Sequence, residues 1–238
     1  MIEVLPLEGI PEIEEGDDLA ALLADAAGRA GGFRPGDVLV VAQKAVSKAE
    51  GRVVVLGDVK PSDAALRYAG DGDPRHVEVI LRETERVVRI RPTLVIAETR
   101  HGFVCASAGV DASNAPGADT VVLLPLDPDA SARALHDRLG VAVIVSDSFG
   151  RPFRQGTTDV AIGVAGLPPL LDLRGTRDRA GYELRTTKIA VADEIAGAAE
   201  LVMGKTEGFP AAIVRGLELE GDGSARELVM PPDRDLFR

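Results

Sequence analysis

Two aspartates, Asp111 and Asp147, each stand just behind an apolar run and among small residues, in GVDASN and VIVSDSFG. Carboxylates placed this way are hard oxygen donors. Mg²⁺ and Mn²⁺ take one or two of them together with the phosphates of a substrate. Ser148 adds a hydroxyl beside Asp147. Arg151 and Arg154, three apart after the next turn, carry the planar fork that grips an anionic substrate. Plainer readings stand beside these. Asp111 and Asn114 can close an Asx turn on local amides, Asp147 can cap a helix, and the arginines can be surface counter-ions.

Two further segments offer contacts to phosphate. Gln43, Lys44, Ser47 and Lys48 follow the apolar run 38–42 in what reads as a loop, suited to charge-assisted bonds or, more blandly, to a solvated helix start. Gly204, Lys205 and Thr206 imitate the end of a Walker A motif. A true P-loop needs a glycine five residues earlier and a preceding strand, whereas this chain has Ala199 there and a helical pattern. The Walker reading is rejected, although a loop there can still cradle phosphate through backbone amides. Glu207, just beyond, is a candidate metal donor.

Other chemistries are poorly served. His76, His101 and His136 form no metal-spaced pair, and no G-x-S-x-G elbow is present. The single cysteine, Cys105, lies in an apolar stretch and reads as core filler; it excludes a disulfide scaffold and fits a reducing compartment.

These residues must be held by strands and helices whose pattern is mixed. Apolar runs of strand length occur at 38–42, 94–97, 121–124, 141–145 and 211–214. The run before Asp147 does not alternate, as expected of a strand buried on both faces. Helices are expected over 17–30, 62–69, 74–89, 129–139 and 192–203; in the third, Val77, Ile80, Leu81, Val87 and Val88 share a face. The stretch 93–126 reads as consecutive strands, which breaks a βαβ rhythm and makes an α+β fold the expectation. One functional domain over 1–238 is expected, with a soft internal boundary near 126–129.

The whole-chain properties narrow the partners. A net charge of −11 without a basic stripe, and 3% aromatics without tryptophan, argue against nucleic acid, and a bound purine would need aliphatic walls. No apolar run reaches the roughly 18 residues of a membrane span and no signal peptide opens the chain, so the expected location is the cytoplasm, with no membrane contact.

Taken in order, LEGIPEI, QKAVSKAEGR, GVDASN, SDSFGRPFRQGTTDVAIG, ADEIAGAAELVMGKTEG and PAAIVRG closely resemble the coenzyme F420:L-glutamate ligases, from about residue 7 to residue 216. The resemblance implies an F420 ligase-like fold and a GTP- and divalent-metal-dependent reaction. In it, L-glutamate is joined by an amide bond to the F420 precursor, F420-0, through an acyl phosphate, releasing GDP and phosphate. By position, it implies a nucleotide site from Ile10, Pro11, Glu12 and Ile13, with Gln43, Lys44, Lys48 and Asn114. The loop Gly204, Lys205, Thr206, Gly208, Phe209 and Pro210 completes that site. Asp111, Asp147, Ser148 and Glu207 would be metal ligands; Ser148 departs from the threonine expected in many relatives but keeps the hydroxyl. Lys48 would offset charge in phosphoryl transfer, and Arg151 and Arg154 would hold the substrate carboxylates. The resemblance further implies Mg²⁺ or Mn²⁺, with K⁺ as an additional candidate, and a homodimer. The flavin-type nitroreductase-like extension of some relatives is not expected after Arg238, and the number of glutamates added is left open. Two competitors are another metal-dependent phosphatase or kinase on the same aspartates, and a binding module without turnover.

Overall fold

The computed structural model describes residues 1–91 and 94–236. The first strand, β1 (Glu3–Pro6), leads to α1 (Leu19–Arg29), which Asp18 caps by accepting from Ala21 N at 3.1 Å. Next, β2 (Val38–Ala42) runs straight into α2 (Gln43–Ala49). The loop expected over 43–48 is therefore a helix. Its N-cap position is Ala42, which has no side chain to cap with, so the usual start signal is missing from the sequence.

The middle of the chain builds small sheets of its own. In order come β3 (Val53–Val55), α3 (Asp63–Ala69), α4 (Pro74–Glu83), β4 (Thr84–Arg91), β5 (Leu94–Thr99), β6 (Val104–Ala106) and β7 (Thr120–Val122). The expected helix over 74–89 stops at Glu83, and Val87 and Val88 belong to β4, paired antiparallel with β5. Their spacing from Ile80 and Leu81 matched a helical face by coincidence; β-branched residues with a partner strand available take the extended form. Thr84 Oγ1 ends the helix by donating to Ile80 O at 2.7 Å. The consecutive strands read from 93 to 126 are present as β5, β6 and β7; Thr93, where that reading begins, lies outside the described residues. Leu56, Val79, Ile80, Val95, Val121 and Leu123 pack into a core for this region.

The C-terminal part contributes α5 (Pro128–Leu139), β8 (Ala142–Gly150), β9 (Thr157–Ala165), β10 (Leu171–Asp172), β11 (Lys188–Ile189), α6 (Val191–Met203) and β12 (Ala211–Arg215). The main sheet has the order β1-β12-β2-β8-β9, so it draws strands from both sides of residues 126–129. Among its described strands, only β2 and β8 pair in parallel. Leu39, Val41, Val143 and Val145 face the layer of α1 and α5, whereas Val38, Val40 and Ile144 face α6. Both faces being covered explains the runs without alternation. The protein is α+β, with a covered sheet and a smaller lobe beside it.

Candidate active site

Three adjoining cavities open where β2 and β8 reach their carboxyl ends, sharing lining residues such as Lys205. The strand carrying Asp147 does not stop there as its apolar run suggested. It continues to Gly150 and pairs with β9, with Ser148 opposite Asp159 and a register shift after Val145. Such a bulge re-aims side chains along a strand.

The largest of the three, about 480 Å³, gathers most of the expected nucleotide residues. Ile10, Pro11, Ile13, Phe209 and Pro210 supply apolar wall, and Lys44, Lys48 and Lys205 supply three ammonium groups. Glu12, Asn114, Gly204, Thr206 and Gly208 complete the named set. Asn114 sits in a left-handed turn, and its amide nitrogen reaches Lys205 O at 3.4 Å, tying the 111–114 loop to the 204–210 loop. Lys48, only 7% exposed, is paired with the Glu12 carboxylate. Gln43 is separated from this set: it lines the neighbouring inner chamber of about 80 Å³ with Ser146, Asp147, Ser148, Asp159 and Glu200.

Asp111, Asp147 and Ser148 share the third cavity, about 230 Å³, beside Cys105 and Gly150. Asp111 makes the Asx turn weighed from the sequence, accepting from Ser113 N at 2.7 Å, and it also accepts from Lys44 Nζ at 2.6 Å. Burial acts to raise its pKa, but Lys44 and Ser113 outweigh that and hold it below the ordinary carboxylate value. Among the described residues no cation is paired with Asp147: burial pushes it up to about 7, and the negative charges of Asp159 and Asp111 add to the rise against a bond from Ser148 N and the more distant charge of Lys44. Burial likewise raises the Cys105 thiol to about 12, so it stays protonated and is no nucleophile, as core filler should be.

Among the described residues, no three His, Cys, Asp or Glu side chains are already gathered as a metal cluster. The donor set nonetheless suits a divalent ion that arrives with phosphate, since such an ion needs only one or two carboxylates from the protein. A cation would also offset the burial and, after it, the neighbouring negative charge that lift Asp147. Glu207 is not brought to the three cavities. It folds back on its own loop, accepting from Thr206 N at 2.9 Å and Thr206 Oγ1 at 3.0 Å, which holds its pKa below the ordinary value. Arg151 and Arg154 lie exposed in the 151–156 turn between β8 and β9; Arg151 donates to Gln155 O at 3.1 Å. They border the third cavity only through the neighbouring Gly150.

The sequence reading missed Asp159, Ser146 and Glu200. Asp159 is 7% exposed and accepts from Ser146 Oγ at 2.8 Å and Ser148 Oγ at 2.6 Å. Its own N–H donates to Glu200 Oε2 at 3.0 Å. The available signal was a lone acid in the apolar strand pattern TTDVAIGVA, a position where a carboxylate stays buried only if it is fully bonded.

The profile of the family described as F420-0:Gamma-glutamyl ligase matches residues 9–216. The chain is similar over its full length to the coenzyme F420:L-glutamate ligases of Methanopyrus kandleri, at 49% identity and 97% of that protein, and of Methanothermobacter thermautotrophicus, at 46% and 99%. That of Methanocaldococcus jannaschii is 40% identical, again over the whole chain and over 97% of the relative. With that likeness spanning every cavity-lining segment, this chain is a ligase and belongs to the F420-0:gamma-glutamyl ligase family.

Proposed function

We propose that the protein joins L-glutamate to F420-0 at the expense of GTP, through an acyl phosphate, releasing GDP and phosphate. The observation that carries this reading is the adjacency of two sites: a cleft with apolar wall and three lysines, and beside it the carboxylates of Asp111 and Asp147. A polyphosphate would compete with Glu12 for Lys48 and with Asp111 for Lys44, since each lysine is paired with that carboxylate. Freed from Lys44, Asp111 would join Asp147 in holding Mg²⁺ or Mn²⁺. Ser148 donates its proton to Asp159, leaving oxygen lone pairs for the same ion. Bound there, the metal would supply Lewis-acid neutralisation of charge on the transferring phosphoryl group.

The protein's own part is positioning. The lysines hold the nucleotide, Lys48 offsets charge that builds in the transfer, and the sheet behind Asp147, covered on both faces, shields the acyl phosphate from water on that side. Arg151 and Arg154 would hold substrate carboxylates from the turn at the rim. Glu207 would take part in metal binding only if its loop opens from Thr206. A homodimer and a K⁺ ion complete the reading, with one glutamate or several as products. No helix among the described residues is long and apolar enough to cross a membrane. The test is incubation with GTP, F420-0 and L-glutamate. A product heavier by one glutamyl residue, formed as GDP appears, supports the reading; phosphate release that needs no glutamate would turn it toward hydrolysis.

A further inference from the structure

The inner chamber behind the cleft has donors and acceptors left over. Gln43 lines it at 1% exposure; its Oε1 accepts from Ser47 Oγ at 2.9 Å, while Nε2 is buried without a partner among the described residues. Burying an N–H without an acceptor forfeits its hydration, so such a group in a native fold calls for an acceptor from elsewhere. Glu200, which also lines the chamber, uses Oε2 to hold Asp159 N, and its Oε1 carries no hydrogen bond among the described residues. Carboxylates outnumber amines in the lining: Asp147, Asp159 and Glu200 against Lys44 and Lys205. At about 80 Å³ the chamber is the smallest of the three adjoining cavities. The neighbouring cleft gives a nucleobase far more room, and a ligand carrying only negative charge would face three acids, which a ligand with its own ammonium would offset.

We propose that this chamber takes the head group of the incoming amino acid, Glu200 Oε1 accepting from its α-ammonium and Gln43 Nε2 donating to its α-carboxylate. The glutamate side chain then projects toward the cleft, and the nitrogen that must form the amide lies beside Asp147. This deepens, and rests on, the ligase reading above. A purely structural account of Glu200 explains only Oε2: on the same helix Asp193 caps Ala161 N at 2.9 Å in the same manner, along the edge strand β9.

Glu200→Gln keeps an oxygen for Asp159 N and removes the charge. In steady-state assays with each substrate varied in turn, the KM for glutamate should rise by about tenfold or more, with those for GTP and F420-0 little changed. Calorimetric titration with L-glutamate should show the same loss, and Glu200→Asp should restore part of it. An unchanged glutamate KM overturns the proposal, as does an equal rise for all three substrates. If melting shows that Glu200→Gln does not fold, Gln43→Met is read in the same way: a selective rise supports the proposal and none overturns it. Wild-type protein that forms no glutamylated product would sink the ligase reading itself, whereas ligation indifferent to both substitutions sinks only the chamber.

Discussion

Lys48 illustrates how much a single buried charge can do. It is held in the last turn of α2, nearly enclosed, with its ammonium on Glu12 inside the cleft. Replacing it by alanine removes a charge-assisted contact to phosphate worth roughly 1.5–3 kcal/mol, so the KM for GTP should rise about tenfold to a hundredfold. Glutamate KM should not follow; a change confined to glutamate would place the nucleotide elsewhere. At this scale the sequence was a good guide to which residues line cavities. Most of the nucleotide set shares one cleft, and Asp111, Asp147 and Ser148 share another. The exceptions have physical causes. Glu207 satisfies itself on Thr206, and Gln43 is swung behind the cleft because its segment is helical. Asp159 announced itself only as a lone acid in an apolar strand pattern, and Glu200 gave no signal because it meets Asp159 only through packing of segments far apart in the chain.

At the scale of elements, the approach of α5 to β9 leaves no room for a side chain at Gly163. A Cβ there would lie 2.2 Å from Pro128 O, which is backbone and cannot step aside. Gly163→Ala should therefore destabilise the fold by about 1–3 kcal/mol, read as a lower midpoint in urea unfolding. A stability equal to wild type would mean that α5 sits farther from the sheet than described. Apolar strands buried on both faces were legible, as were the helices with side-chain caps, such as α5 behind Asp127 and Pro128. Three boundaries were not. Helix α2 has no capping side chain to announce it, and β4 borrows valines whose spacing also suits a helix; in each case a neighbouring strand or the core decides. The sequence also ended β8 where its apolar run ends, whereas pairing with β9 carries the strand on through Asp147 to Gly150.

For the whole molecule, the main sheet is tied across its far end by Arg215 on β12 and Asp37 before β2, with contacts of 2.8 Å to both carboxylate oxygens. Burial acts to raise the Asp37 pKa, but Arg215 and the Arg34 N–H outweigh it and hold it below the ordinary value. A depressed carboxylate contributes stability that is present above its unfolded pKa of about 3.9 and is lost as pH falls through the lower folded value. Asp37→Asn should lower the melting temperature at pH 7 and shrink the fall between about pH 5 and pH 2. An unaltered acid limb would remove Asp37 from that role. The central claim joins the two halves of the site, a nucleotide cleft and an acidic centre, in one reaction. It is tested most directly by the ligation assay with Asp147→Asn, an isosteric change that removes the one carboxylate lining both the inner chamber and the third cavity. The account predicts a fall of at least about a hundredfold in GTP-dependent glutamylation of F420-0, with the fold intact by melting; glutamylation at the wild-type rate would contradict it.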